Sequence, residues 1–221
     1  EQAKVERETQ LEEALAQFRE AAATHDLSPA CVEELTAYLE ESGKELFTTA
    51  LREVIGPRLR EVPALSQQLE DFLEPECIQG NLAATSWPPV VSEAIRLLKR
   101  KARHLDLALP FRELLDRAME PSWFPGAGLG LPHVAIPGLE EPVLVLIRLR
   151  SPLSLGTQDK EPIRLFFFLF EPEKNPELHL TILRRIALLL TPVANRGLLH
   201  ATTDSWALYQ TVLALDDATP Q

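Results

Sequence analysis

The chain has 221 residues, of which 45% are hydrophobic and 25% charged, so it can bury a core and has an ordinary globular composition. Its formal charge is −11 at pH 7, and residues 1–70 hold 15 acidic against 7 basic side chains, which argues against extended binding to duplex nucleic acid. No apolar run reaches the roughly 18 residues of a membrane-spanning helix, and we recognise no secretory leader in the first residues of the sequence. Cys31 and Cys77 lack the spacing of metal ligands. We therefore expect a cytoplasmic location, either as a separate protein or as the cytoplasmic domain of an inner-membrane protein.

Residues 1–70 predict an all-α segment, because apolar residues recur at helical spacing on one face and charged residues occupy the other. The predicted helices are a first that ends near Thr24, a second after the Ser28-Pro29 cap, a third between Gly43 and Gly56, and a short fourth over about 63–72. Each helix is amphipathic, so it must pack on its neighbours, on the rest of the chain, or on a second copy in a homodimer. Packing, oligomerisation and tethering are the roles that this segment leaves open.

From Phe72 the pattern changes to alternating helices and strands, which predicts an α/β sandwich over residues 71–216. Helices are predicted at 90–103, 110–119, 175–190 and 204–215, and strands at 129–136, 142–150 and 162–170. The last strand is apolar on both faces, so we expect it at the centre of the sheet with cover on both sides. The polar end of the chain, Asp216 to Gln221 with residues 217–221 outside the domain, predicts a poorly ordered tail.

A glycine-rich segment before His133 is the most informative part of the chain. Gly126, Gly128 and Gly130 alternate, which would clear one face of an extended segment for the close approach of another backbone or of an anionic group. Pro132 fixes the backbone just before the histidine, so the imidazole is held at a defined angle. A neutral imidazole at such a place can be a nucleophile, a ligand or a proton carrier. An ordinary core histidine in a glycine-rich turn is the competing interpretation.

Two further residues are candidates for the same site. His179 lies in the first turn of a helix that begins at Asn175 and Pro176, where free amide groups and the helix dipole favour an anion. Arg117 lies upstream of the glycine segment, and its guanidinium matches a pair of phosphoryl oxygens. The alternatives are a surface histidine in a capped turn and a salt bridge from Arg117 to Glu113, four residues earlier.

Other chemistries find little support in the sequence. The remaining histidines and the two cysteines form no metal-ligand spacing, and the chain has neither a nucleophile-elbow serine motif nor a phosphate-binding P-loop. A basic run over residues 96–103 stands out in an acidic protein. We interpret it as a solvated helix face, with a docking patch for an acidic partner as the alternative.

An ordered set of segments resembles a known family. The segments are Phe72 to Ile78, the Pro132-His133 pair, Glu140 to Leu149, Pro162 to Pro172 and the His179-Leu180 pair. Together they resemble the enzyme IIA domain of the mannitol/fructose and nitrogen-regulatory class of the bacterial sugar phosphotransferase system. The resemblance covers about 145 residues in matching order and spacing. A mixed β-sheet flanked by helices is the fold that it implies.

The same resemblance implies a function. His133 falls on the position that accepts a phosphoryl group from a histidine-containing phosphocarrier protein, His179 on the second histidine of the site, and Arg117 on the upstream arginine. No metal, nucleotide or other cofactor is implied. The sequence departs from the family at Ala118, where a glutamate is usual, and at Trp123, where a small hydroxyl residue is usual. At that position Trp123 would narrow the site and remove a hydrogen bond to phosphate.

Two functional hypotheses therefore stand side by side. The first is a phosphoryl-carrier domain in sugar transport or in regulation, because His133, His179 and Arg117 are retained together. The second is a non-catalytic regulatory or interaction domain of a membrane transporter, an anion or cation exchanger, because of Trp123, Ala118 and the added helices. The segment Leu139 to Leu149 also resembles, more distantly, the cytoplasmic domain of band 3-type anion exchangers, which has a similar fold without the phosphoryl chemistry.

Overall fold

The computed structural model describes residues 68–118, 120–155, 161–173 and 176–219. The first three predicted helices and most of the fourth lie outside these residues, as does the extreme end of the predicted tail. The division of the chain at residue 70 and the homodimer therefore stay predictions.

Five strands form one mixed sheet. They are β1 (Leu73–Leu82), β2 (Leu129–Gly130), β3 (His133–Ile136), β4 (Val143–Leu153) and β5 (Ile163–Pro172). The strand order is β1, β4, β5. Strand β2 pairs with the other edge of β5, and β3 pairs with the same edge further along β5. Strand β4 runs antiparallel to β5, whereas β1 is parallel to β4 and both short strands are parallel to β5. The predicted α/β fold with a mixed sheet is confirmed.

Five helices cover the sheet. They are α1 (Trp87–Lys101), α2 (Ala108–Asp116), α3 (Pro176–Leu190), α4 (Val193–Ala201) and α5 (Ser205–Asp217). Alternate residues of β5 enter opposite hydrophobic clusters: Phe168 packs in the cluster that contains Trp87 of α1, and Phe167 packs in the cluster that contains Ile186 of α3. Both phenylalanines are buried, so β5 is a central strand covered on both sides, as its apolar run predicted. No helix in the described part of the chain is long and apolar enough to cross a membrane.

Several element boundaries differ from the predictions. The described end of the fourth predicted helix is a 3-10 turn, Leu69–Asp71, and the chain enters β1 directly after it. The predicted strand 129–136 is two short strands, because Leu131 and Pro132 leave the ladder between them. Strand β1 and helix α4 were not predicted.

The predicted poorly ordered tail does not begin at Asp216, because α5 extends to Asp217. Asp216 lies inside α5 and is buried, and its carboxylate accepts hydrogen bonds from the Leu69 amide at 2.7 Å and from Nε of Arg185 at 2.5 Å. This buried ion pair joins α3, α5 and the chain entering β1. Asp216, near the end of α5, therefore makes a structural contact.

Candidate active site

The carboxyl end of β5 brings the two candidate histidines together. His133 opens β3 and pairs in register with Leu169 of β5, and His179 lies in the first turn of α3, which follows β5 in the chain. The two imidazole centroids are 5.0 Å apart, with the ring planes at 63°. His133 and His179 are 46 positions apart in the sequence, which assigned both to one site, and they are neighbours in the structure.

One hydrogen bond defines the protonation of the His133 ring. Its Nδ1 lies 2.9 Å from the carbonyl oxygen of Leu131. A carbonyl oxygen can only accept, so Nδ1 carries the hydrogen and the neutral ring has its lone pair on Nε2. Among the described residues this Nε2 has no hydrogen-bond partner. The ring is therefore oriented through one nitrogen and can react through the other.

The surroundings favour the neutral form of His133. Burial is the main cause that lowers the pKa of His133 from its ordinary value of 6.5, because it penalises the charged imidazolium. The bond to Leu131 and the carboxylate of Glu171 act in the opposite direction, and the neighbouring His179 and Arg117 lower the pKa further. A neutral ring at neutral pH has the lone pair that a nucleophile needs.

A carboxylate that the sequence analysis missed holds the second histidine. Nδ1 of His179 lies 2.8 Å from Oε2 of Glu171, near the end of β5. Both side chains are largely buried, with 22% and 15% of their surfaces exposed, so the contact is shielded from water. Because the ionised carboxylate accepts, Nδ1 donates and Nε2 of His179 is left for other partners. An acidic residue at the carboxyl end of the central strand, eight positions before a candidate histidine, was the available signal.

Arg117 follows α2 and makes the salt bridge that the sequence analysis gave as the alternative to a role in the site. Its Nη1 lies 3.0 Å from Oε1 of Glu113, so the predicted salt bridge to the residue four positions earlier is present. Its Cζ also lies 4.5 Å from the centroid of the Trp123 ring, in cation–π geometry. The Trp123 ring is 6.0 Å from that of His133. Arg117 therefore reaches the site through Trp123 and contributes positive charge near His133.

The first part of the glycine segment is a turn and not extended as expected, whereas Gly130 lies in strand β2. Gly126, Ala127 and Gly128 have φ values of 101°, 54° and 70°, all in the left-handed region. At Gly130 the close neighbour is the Phe166 ring, since a Cβ added there would lie 2.5 Å from Cδ1 of that ring. The space cleared at this glycine is thus filled by the protein's own core, and the expected anion or backbone does not occupy it.

The structure gives little support to the other candidate features, which are a metal site, a reactive cysteine and a basic docking patch. The described residues hold no group of three or more histidine, cysteine or carboxylate side chains that could bind a metal ion. Burial raises the pKa of the Cys77 thiol to about 11, so it is not a ready nucleophile. Along the basic face of α1, Arg96 pairs with Glu93 at 2.6 Å and Lys101 pairs with Glu74. These pairs favour the solvated-face interpretation over a docking patch.

The sequence and the fold are similar to those of known proteins. A family described as "Phosphoenolpyruvate-dependent sugar phosphotransferase system, EIIA 2" has a sequence model that matches residues 71–214. A relative from Pseudomonas aeruginosa, named "Nitrogen regulatory protein", is 30% identical over 146 residues, which are 66% of this chain and 95% of the relative. A relative of the same name from Bradyrhizobium diazoefficiens is 33% identical over 154 residues, 68% of this chain and 97% of the relative.

Solved structures of other proteins are also similar to this chain. The nitrogen regulatory protein IIA-Ntr from Neisseria meningitidis is 25% identical with a TM-score of 0.59, over 65% of this chain and 98% of that one. The IIA mannitol structure from Escherichia coli is 14% identical with a TM-score of 0.51, over 63% of this chain and 97% of that one, a likeness of fold alone. These matches do not bear on the resemblance to the band 3 cytoplasmic domain, which stays a prediction.

Proposed function

Because this chain belongs to the EIIA 2 family of the phosphoenolpyruvate-dependent sugar phosphotransferase system, as its sequence predicted, we propose that it carries a phosphoryl group on Nε2 of His133. The donor is a histidine-containing phosphocarrier protein. One observation carries the assignment to this nitrogen: Nδ1 of His133 donates to the Leu131 carbonyl at 2.9 Å and cannot also attack phosphorus.

The transfer exchanges one N–P bond for another. The lone pair on Nε2 of His133 attacks the phosphorus of the phosphocarrier's phosphohistidine, and the N–P bond of that residue breaks with its electron pair leaving on the departing imidazole. As Nε2 gives up its pair, the His133 ring becomes more positive, and the Nδ1 hydrogen becomes a stronger donor to the Leu131 carbonyl. The same hydrogen bond that orients the ring therefore also stabilises the product.

Charge around the ring supports the transfer of an anionic group. Nε2 of His179 is available beside His133, because Glu171 occupies Nδ1 of His179. Arg117 places a guanidinium against Trp123, which contacts His133. We assign His179 and Arg117 to the stabilisation of the phosphoryl oxygens, and catalysis to positioning and charge without a metal or nucleotide.

The relatives favour a regulatory role over sugar transport. Both sequence relatives, at 30% and 33% identity, are named "Nitrogen regulatory protein". In this role the phosphoryl group is a signal, and its presence on His133 alters what the domain binds. We propose that the protein acts in the cytoplasm and receives its phosphoryl group there from the phosphocarrier.

The test is intact-mass spectrometry of the full chain after incubation with phosphoenolpyruvate, enzyme I and the phosphocarrier protein. We expect a gain of one acid-labile phosphate that is lost in His133→Ala. The matched control is His104→Ala, since His104 is exposed and lies outside the site, and this variant should be phosphorylated like the native chain. No gain in the native chain, in a mixture that phosphorylates a second EIIA domain, would overturn the proposal and favour the non-catalytic transporter domain.

A further inference from the structure

Trp123 is fixed to His133 by a chain of two hydrogen bonds. Its carbonyl oxygen accepts from the Leu131 amide at 2.7 Å, and the Leu131 carbonyl accepts from Nδ1 of His133 at 2.9 Å. Trp123 ends the 3-10 turn Pro121–Trp123 and is fully buried, and its ring meets that of His133 edge to face, with centroids 6.0 Å apart. Main-chain contacts therefore fix the position of Trp123 relative to the segment that orients the histidine.

The indole N–H of Trp123 lacks an acceptor. Its Nε1 is buried and has no hydrogen-bond partner within the part of the chain that the structure describes. Buried indoles normally find one, and Trp87 does, since its Nε1 donates to the Leu114 carbonyl at 2.8 Å. A buried donor without an acceptor is unfavourable, so the site retains at Trp123 a hydrogen-bond donor for which the described residues offer no acceptor.

The charge next to this donor suits an anion. The guanidinium of Arg117 lies 4.5 Å above the centroid of the same indole ring. The His133 ring, whose Nδ1 bonds to Leu131, contacts the same indole. A centroid separation of 6.0 Å can be bridged by one phosphoryl group on the imidazole and one hydrogen bond of about 2.9 Å.

We infer that Nε1 of Trp123 donates a hydrogen bond to a phosphoryl oxygen on His133, which makes Trp123 a phosphoryl-binding residue of this site. The inference rests on the proposed function, since it requires a phosphoryl group on His133. It replaces the expectation that a tryptophan at this position only narrows the site and removes a hydrogen bond. The indole N–H of Trp123 takes the place of the hydroxyl donor that is usual at this position, and burial holds the indole in place.

The test uses the full chain labelled with ¹⁵N and phosphorylated by phosphoramidate. This small donor gives its phosphoryl group to Nε2 of His133 as its own P–N bond breaks and ammonia leaves, so no phosphocarrier protein is needed. The three tryptophans give three indole N–H signals, and two of them are internal controls: Trp87 is already bonded to a carbonyl, and Trp206 is 58% exposed. We expect phosphorylation to move the Trp123 signal to higher ¹H frequency and to slow its exchange with solvent, more than for either control.

A variant gives a second measurement. Trp123→Phe keeps an aromatic ring and removes the N–H, and we expect its phosphohistidine to hydrolyse about tenfold faster or more, the effect of losing one hydrogen bond to a charged group. Trp206→Phe is the matched control and should hydrolyse at the native rate, because that side chain is exposed on α5. Near-ultraviolet circular dichroism verifies that both variants are folded.

The outcomes separate this inference from the proposed function. Phosphorylation of His133 with a Trp123 signal that moves no more than that of Trp206 would overturn the inference and leave the carrier function intact. A shifted Trp123 signal with phosphoramidate, but no phosphoryl transfer from the phosphocarrier, would support the inference and overturn the proposed donor. A His133 that neither donor phosphorylates would overturn both.

Discussion

The rings of His133 and His179 lie 5.0 Å apart, and an oxygen atom holds Nδ1 of each. The Leu131 carbonyl holds the first ring at 2.9 Å, and the Glu171 carboxylate holds the second at 2.8 Å. Each histidine is thus oriented through one nitrogen, and its Nε2 is left for chemistry. Glu171 lies in β5 where that strand pairs with β3, and Leu131 lies in the link between β2 and β3, so the edge of the sheet sets the geometry of the site.

Removal of the carboxylate that orients His179 should slow phosphoryl transfer. In Glu171→Ala, Nδ1 of His179 loses a largely buried charged acceptor, and we expect the transfer rate to fall about tenfold or more. Glu171→Gln keeps an amide oxygen that can accept, so it should recover part of the rate. Stopped-flow or quenched transfer from the phosphorylated carrier measures both. Equal rates for the native chain and Glu171→Ala would show that His179 needs no orienting partner.

The titration of His133 should lie on the acidic side of an ordinary histidine. Burial, together with the charges of His179 and Arg117, lowers the pKa of His133 below 6.5, so the neutral form persists below that pH. Arg117→Ala removes one lowering charge and should move the midpoint upward. A ¹H NMR titration of the imidazole signals measures this in both proteins. A native midpoint above 6.5, or a midpoint that Arg117→Ala moves downward, would contradict the electrostatic account.

Stability should fall in mild acid because of His200. This histidine lies on α4 and is buried, and burial with the nearby charges of Arg164, Arg196 and Arg148 lowers its pKa to about 3. The folded-state pKa is below the unfolded value of 6.5, so below pH 6.5 protons bind preferentially to the unfolded chain. The contribution of His200 is therefore complete above pH 6.5 and is lost progressively as the pH falls toward 3.

The check is urea unfolding at pH 7.5 and pH 5. His200→Gln should reduce the difference in unfolding free energy between the two pH values, because the titrating ring is gone. His104→Gln, at an exposed position, is the control and should keep the native difference. A His200→Gln variant with an unchanged pH dependence would rule out His200 as the source.

The buried ion pair between Arg185 and Asp216 should be important for stability. Asp216→Asn leaves the Arg185 guanidinium buried without a counter-charge, and we expect a loss of about 3–5 kcal/mol in unfolding free energy. The neighbouring Asp217 is exposed, so Asp217→Asn should cost less than about 0.5 kcal/mol. Urea unfolding of both variants makes the comparison. Similar values for the two variants would contradict the assignment of Asp216 as the contact between α3 and α5.

The elements with a strong local pattern were predictable from the sequence. The apolar run from Leu165 to Phe170 predicted a central strand, because only a strand covered on both faces can bury both sets of side chains. Strand β1 escaped prediction because Glu74, Pro75 and Glu76 interrupt its pattern, and among the described strands it pairs with β4 alone. Only two residues separate helix α4 from the end of α3, and α4 contains Gly197, so local signals did not distinguish it as a helix of its own.

Part of the candidate site was also predictable, because some of its residues have a recognisable local pattern. His133, His179 and Arg117 stand out by residue type and local context. The structure sets the two histidine rings 5.0 Å apart and Arg117 against Trp123, whose ring contacts that of His133. The role of Glu171 depends on how α3 folds back over the end of β5. Outside the site, the role of Asp216 likewise depends on Arg185, 31 residues earlier in the sequence. Contacts between distant elements leave no periodic signal in the sequence, so such partners appear only once the chain is folded.

The most direct test of the account is NMR of the phosphorylated full chain with ¹⁵N-labelled histidine. The spectra identify both the histidine and the ring nitrogen that carries phosphorus. We expect a single phosphorylated histidine, His133, with the N–P bond at Nε2 and with Nδ1 still protonated and bonded to Leu131. Phosphorus at Nδ1 of His133, or on any other histidine, would contradict the account, because the hydrogen bond to the Leu131 carbonyl would then not define the reactive nitrogen.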